Sequence, residues 1–175
     1  MGKKRWIVLV SSLFILSCGL FSQTVTQMGF IIKKALPDTE SIAILVTDMQ
    51  KEKLTKEAQS AQLITKVKYF VITVSNKSEI AAKINYIKNL EKTATLIIAD
   101  DLILNEGTAK FIAQKLAASR TPVISNRAKD TLQGLLMTVT MNDGSLEKHV
   151  NKISMSALGL ALSDEFLGEC IIDVE

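Results

Sequence analysis

The chain has few of the residues that build redox, metal or nucleotide sites. It carries two cysteines and one histidine in 175 residues. There is no Cys-x-x-Cys pair, so a zinc or redox centre is not expected. The stretch "VTDMQKEK" (46–53) holds no glycine where a phosphate-binding loop would need one. No G-x-S-x-G elbow occurs. Two prolines and eight glycines leave no flexible linker or low-complexity tract, and aromatic residues make up only 5%. Charge of one sign is also missing. Without Lys3, Lys4 and Arg5, the 21 basic residues fall to 18, equal to the 18 acidic ones. The basic excess belongs to the first residues alone, so nucleic acid is not an expected partner.

The N-terminus carries the chain's conspicuous apolar run. Lys3, Lys4 and Arg5 precede residues 6–16, which are apolar except for Ser11 and Ser12. That is short for a bilayer span and suits the core of an export signal. "ILSCGL" (15–20) follows and resembles a lipobox, with Cys18 as the lipidated residue. An ordinary signal cut near Ser22 is the other reading. The expected layout is a signal over 1–22 and a single α/β domain over 23–175, exported to the periplasm or cell envelope. With Cys18 lipidated or removed, Cys170 in "ECIIDV" has no partner and is expected to pack as a small hydrophobe.

Beyond the signal the chain alternates. A helix is expected over 23–36, broken by "LPD". Apolar β-type runs at 41–48, 66–74, 94–100, 122–125 and 135–141 alternate with helical patterns at 51–64, 78–90, 107–118 and 128–134, and a last helix is expected over 145–159. Ser78 is the candidate N-cap of the 78–90 helix, and Gly134 and Gly159 close two others. The runs lack polar alternation, so they read as strands buried on both faces. The fold expected is α/β, a flavodoxin-like doubly wound parallel sheet of five strands in order 2-1-3-4-5, between two helical layers.

In such a sheet ligands bind outside the carboxyl ends of the strands. Those ends carry Thr47, Asp48, Ser75, Asp100, Asp101, Ser125 and Asn126, the candidate ligand-binding residues. Loops and helix caps use the same residue types, so each has capping as its competing role. Asp48, Asp100 and Asp101 could form the acidic pocket of a receiver domain, but "TMNDG" (140–144) stands where its lysine belongs. His149, expected within a helix and without a nucleophile motif, is not a candidate base. No catalytic residue and no cofactor is expected.

Several stretches resemble ABC-transporter substrate-binding proteins of the aromatic-amino-acid or sugar-like type. "KKALPDTESIAILVTD" (33–48) resembles the opening of that family's second lobe. "VSNKSEIAAKINYI" (74–87), "ATLIIADD" (94–101), "RTPVISNRAKDTLQGLLMTV" (120–139) and "VNKISMSALGLALSDEFLGECIIDV" (150–174) resemble its later segments in order. The resemblance implies one lobe of a periplasmic binding protein, with a small-molecule ligand and a permease as partners. "GLLMTVTMNDGSLEKHVNKISMSALGLALSDEFL" (134–167) is also similar to periplasmic regulators of the YfiR type, which act on a membrane signalling protein. Both imply binding without catalysis. A homodimer is an expected assembly, and a lipid on Cys18 is the expected contact with the membrane.

Overall fold

The computed structural model describes residues 24–174. The expected signal, Cys18 and the cleavage position lie outside the described residues. The chain runs α1 (Val25–Ala35), β1 (Ser41–Thr47), α2 (Lys51–Thr65), β2 (Lys68–Val74), α3 (Ile80–Lys88), β3 (Thr93–Ile97), α4 (Glu106–Ala117), β4 (Val123–Ser125), β5 (Met137–Asn142), β6 (Ser145–Asn151), α5 (Lys152–Ala157), α6 (Asp164–Gly168) and β7 (Ile171–Val174). Short 3-10 turns at Asp48–Gln50, Lys77–Glu79 and Ala128–Gln133 follow β1, β2 and β4.

The seven strands form one sheet in the order β2-β1-β3-β4-β5-β6-β7. The first five are parallel and follow the expected order. All seven residues of β1 are buried, as befits a central strand covered on both faces. The alternation of strand side chains divides the core in two. Ile42, Ile44 and Leu96 pack with Met28 and Ile32 of α1, Leu54 of α2 and Phe166 of α6. Ala43, Leu45 and Ile97 pack on the other face with Ile84 and Ile87 of α3 and Ile112 and Leu116 of α4. Each buried Leu or Ile is worth roughly 1.5–3 kcal/mol of transfer free energy.

The start of α1 is fixed by a reciprocal cap. Thr24 Oγ1 accepts from the Gln27 N–H at 3.2 Å, and Gln27 Oε1 accepts from the Thr24 N–H at 3.1 Å. This pairing satisfies two of the helix's orphan donors. Cys170 packs partly buried against the core, its Sγ 3.1 Å from the Phe166 carbonyl, and burial pushes its thiol pKa up.

Two expectations give way. Residues 145–159 are not one helix: β6 takes Ser145–Asn151 and α5 only Lys152–Ala157. Asp143 and Gly144 have φ of 47° and 79°, the positive pair of a two-residue turn that closes an antiparallel hairpin between β5 and β6. His149 is therefore a strand residue. β7 then adds parallel to β6, extending the sheet beyond five strands. The cap before α3 is also different. Asn76 Oδ1 accepts from the Ser78 N–H at 3.1 Å, so Ser78 lies inside a 3-10 turn and α3 begins at Ile80. The glycine closures hold, with φ of 88° at Gly134 and 66° at Gly159.

Candidate functional site

The carboxyl ends of β1 and β3 lie side by side in the parallel part of the sheet. The chain leaves β1 into α2 on one face and leaves β3 for α4 on the other. This divergence opens the crevice where ligands sit in doubly wound sheets.

The strand-end residues form a tied frame around that crevice. Thr47 ends β1 and is buried, and its side chain caps nothing. Asp48 accepts a hydrogen bond from the Ser75 hydroxyl, joining the ends of β1 and β2. The Ser75 N–H donates to Glu79 Oε2 at 3.2 Å. Asp100 accepts from three backbone N–H groups, Leu102 at 2.7 Å, Ile103 at 2.6 Å and Leu104 at 3.2 Å. It thereby folds the loop after β3. Asp101 beside it is exposed.

Across the crevice Ser125 is fully buried. It donates to Asp130 Oδ2 at 2.5 Å and accepts from the Arg127 N–H at 3.2 Å. Arg127 Nε donates to Asp130 Oδ1 at 2.8 Å, and its Nη atoms reach the carbonyls of Asp100 and Leu104 at 3.3 and 3.4 Å. Asn126 Oδ1 accepts from the Ala99 N–H at 2.8 Å. The loops after β3 and β4 are thus tied by Asn126 and Arg127. Asp100, Ser125 and Asn126 come together in this frame, Asp48 and Ser75 form a separate pair, and Asp101 joins neither.

A pocket of about 150 Å³ opens where the N-termini of α1 and α2 meet the ends of β1 and β3. Val25, Met28, Leu54, Leu96 and Ile98 give it apolar walls. Gln50, Lys53, Glu57, Ala99 and Asn126 complete it. Gln50 Oε1 is buried there without a hydrogen-bond partner, a state that costs about 1–3 kcal/mol until a donor arrives. Glu57 Oε2 accepts from the Val25 N–H at 3.3 Å, and Lys53 Nζ stands 3.8 Å from Glu57 Oε1. Of the seven expected residues only Asn126 lines this pocket. Lys53 and Glu57 were not expected there. The signal for them is positional, because the first turns of the helix that leaves the central strand face the crevice.

His149 stands away from this edge, between β5 and β7. Its Nδ1 is 3.0 Å from Asp173 Oδ1 and its Nε2 is 3.4 Å from Glu147 Oε2. Thr131 Oγ1 donates to the same Asp173 carboxylate. The imidazole ties β6 to β7. Among the described residues no group of three or more His, Cys, Asp or Glu could hold a metal ion, and no helix is long and apolar enough to cross a membrane.

No family model matches the chain, and no curated protein sequence matches it. Solved structures do match. A conserved domain protein from Vibrio cholerae aligns over 86% of this chain and 60% of its own, with TM-score 0.73 and 12% identity. An ABC domain from Streptococcus pneumonia, solved in complex with L-Trp, aligns over 84% of this chain and 59% of its own, with TM-score 0.71 and 15% identity. CD0873 from Clostridium difficile, a substrate-binding protein with adhesive properties in its ligand-free open form, aligns over 87% of this chain and 60% of its own, with TM-score 0.73 and 11% identity. The chain spans 59% to 60% of the length of these proteins. At such identities the likeness is one of fold: this chain carries an α/β fold shared with substrate-binding proteins.

Proposed function

We propose that the chain is an exported, non-catalytic binding domain that holds a small polar molecule at the carboxyl edge of its sheet. The observation that carries this reading is the unpartnered Gln50 Oε1 in the pocket between α1, α2 and β3. It calls for a hydrogen-bond donor, an ammonium, amide or hydroxyl, from a ligand. The Asn126 amide lies at the same pocket and offers a donor in return. Asp48 and Asp101 lie outside the pocket lining, after β1 and β3, and would serve as acceptors for outer groups of the ligand. Ser75, Asp100 and Ser125 position the loops, and Thr47 is buried at the end of β1. The fold shared with an L-Trp complex and a substrate-binding protein supports the reading.

A cavity of about 150 Å³ is smaller than the ~300–1,000 Å³ usual for small-molecule sites. This chain would therefore bury part of its ligand, and the rest would come from a second lobe or a membrane partner such as a permease. Affinity of the chain alone would be weak. An interaction module acting on a membrane signalling protein is the second reading, supported by the exposed Leu63 and Ile64 beside the sheet.

The test is thermal unfolding with amino acids, purines and small sugars. A saturable rise in Tm that disappears in Gln50→Leu, while that variant unfolds at its own undisturbed temperature, is the expected result. No shift with any of these ligands would overturn the assignment.

A further inference from the structure

The two edges of the sheet are built differently. β7 is four residues long and includes Asp173, and its partner β6 carries a register shift at Val150 and Asn151. Short length, a charge and an irregular ladder all discourage pairing with another chain. β2 lacks the short length and the irregular ladder, and its charge sits only at its first residue. It runs straight for seven residues, and Lys68 at its start is its single charge. Tyr69, Phe70 and Val71 are half-buried.

The hydrogen-bonding direction of β2 is fixed by one contact. The Lys68 N–H donates to the Glu40 carbonyl at 3.1 Å, toward β1. Backbone groups alternate along a strand, so Tyr69, Val71 and Thr73 aim theirs outward. The Tyr69 N–H is met by Gln62 Oε1 at 3.3 Å. Among the described residues no strand pairs with the outward groups of Val71 and Thr73. Beside the strand lies a groove of about 470 Å³, formed with α2. Thr55, Gln59 and Leu63 line it. Their spacing of four residues places them on one helix face. That stripe is uncharged, although the helix also carries Lys51, Glu52, Lys53, Lys56 and Glu57. Leu63 is 74% exposed.

We propose that this edge pairs with a second copy of the chain, β2 antiparallel to β2 about a twofold axis through Val71. This inference goes beyond the binding reading and does not depend on it. Val71 points its backbone outward, so it can exchange both hydrogen bonds with its own symmetry mate. Tyr69 and Thr73 pair on either side, with Gln62 yielding the Tyr69 N–H. The register meets no charge conflict. Lys68 falls opposite Val74, Lys66 opposite Asn76 and Lys77 opposite Thr65. A parallel pairing would stack Lys68 on Lys68. On the α2 face, Gln59 meets its own copy and Leu63 meets Thr55. Self-complementarity of both strand and helix favours a second copy over an extended peptide. The two carboxyl edges then point in opposite directions, so neither copy closes over the other's binding edge.

Light scattering on the chain as recovered from the producing cell is expected to give twice the monomer mass. Leu63→Glu is expected to weaken the dimer roughly a hundredfold, since two leucines per dimer lose their burial, with its circular dichroism unchanged. Gln59→Cys is expected to oxidise to a covalent dimer, and Ser60→Cys is not. A monomer at ~100 μM would overturn the proposal, that concentration lying above the Kd of even modest dimers. So would a dimer that ignores Leu63→Glu and fails to crosslink through residue 59.

Discussion

Gly29 lies in the middle of α1, buried against β2. In an ordinary helix interior, replacing glycine by alanine stabilises by roughly 0.5–1 kcal/mol. Here the opposite sign is expected. A Cβ at this position would stand 1.9 Å from Tyr69 Oη and 3.1 Å from Cζ of the same ring. Tyr69 can retreat only by giving up a hydrogen bond. Its hydroxyl bonds Thr65 Oγ1 at 3.1 Å, and Thr65 Oγ1 is committed to the Ala61 carbonyl at 2.9 Å. Burial also pushes the phenol pKa up. Overpacking of this kind costs about 1–3 kcal/mol. Moving the ring also forfeits a hydrogen bond worth about 0.5–1.5 kcal/mol. After the propensity gain is subtracted, Gly29→Ala should destabilise by ~0.5–4 kcal/mol; a loss of about 2 kcal/mol is a fall in Tm of roughly 4–8 °C for a chain of this size.

The cause can be isolated. Tyr69→Phe removes the atom in conflict and leaves Cζ at 3.1 Å, which a few tenths of an ångström relieve. In that background Gly29→Ala should be near neutral. Urea unfolding of the four species gives the coupling directly. A coupling of about 1 kcal/mol or more is expected. A coupling below ~0.5 kcal/mol, or a stabilising Gly29→Ala in the original background, would refute the close approach of α1 to β2.

Two other perturbations probe the frame and the C-terminal elements. Asp130 is fully buried and holds both Arg127 and Ser125, so Asp130→Ala should cost about 3–5 kcal/mol by stranding a partly buried guanidinium. Asp130→Asn should lose less, and chemical unfolding distinguishes the two. Glu169 is held down to a pKa of about 2 by Lys148 first and Lys34 second. A depressed carboxylate contributes stability above its unfolded pKa near 4.5 and loses it as pH falls through about 2. Its carboxyl resonance should therefore titrate near 2 and move upward in Lys148→Met; a midpoint near 4.5 in the unsubstituted chain would count against the pairing.

The parallel part of the fold was legible because its strands are rich in β-type residues and carry little charge. Such a run has one stable place, between two helical layers. The strand order 2-1-3-4-5 is the flavodoxin-like order of a five-strand βα repeat. Residues 145–159 misled because a helix and a half-exposed strand share their polar composition. Lys148 illustrates the ambiguity. It reads as a surface charge, yet its side chain is only 12% exposed and its ammonium sits 5.3 Å from the Phe166 ring centre. The turn chemistry was the better guide. Asp-Gly between two runs of β-type residues is a hairpin signal, and both residues adopt the positive φ it demands.

The carboxyl edge of the sheet was legible in the sequence, but the hydrogen bonding of its residues was not. Strand ends point to the crevice whatever the tertiary detail, so Asp100, Ser125 and Asn126 could be placed at one edge. How each spends its hydrogen bonds could not be read the same way. Asp100 turns inward because the three residues from Leu102 to Leu104 offer it their N–H groups at once, a local pattern that a sequence can suggest. Ser125 is committed through Asp130, five residues on, on a 3-10 turn whose packing only the fold decides. Gln50 is the reverse case. It sits at the head of α2 beside Glu57, and α1 brings the Val25 N–H to Glu57 rather than to Gln50. A helix that precedes the sheet in sequence thus determines which acceptor at the crevice stays unpaired. That unpaired oxygen is the reason the proposed reading starts from the pocket and adds the more polar rim around it.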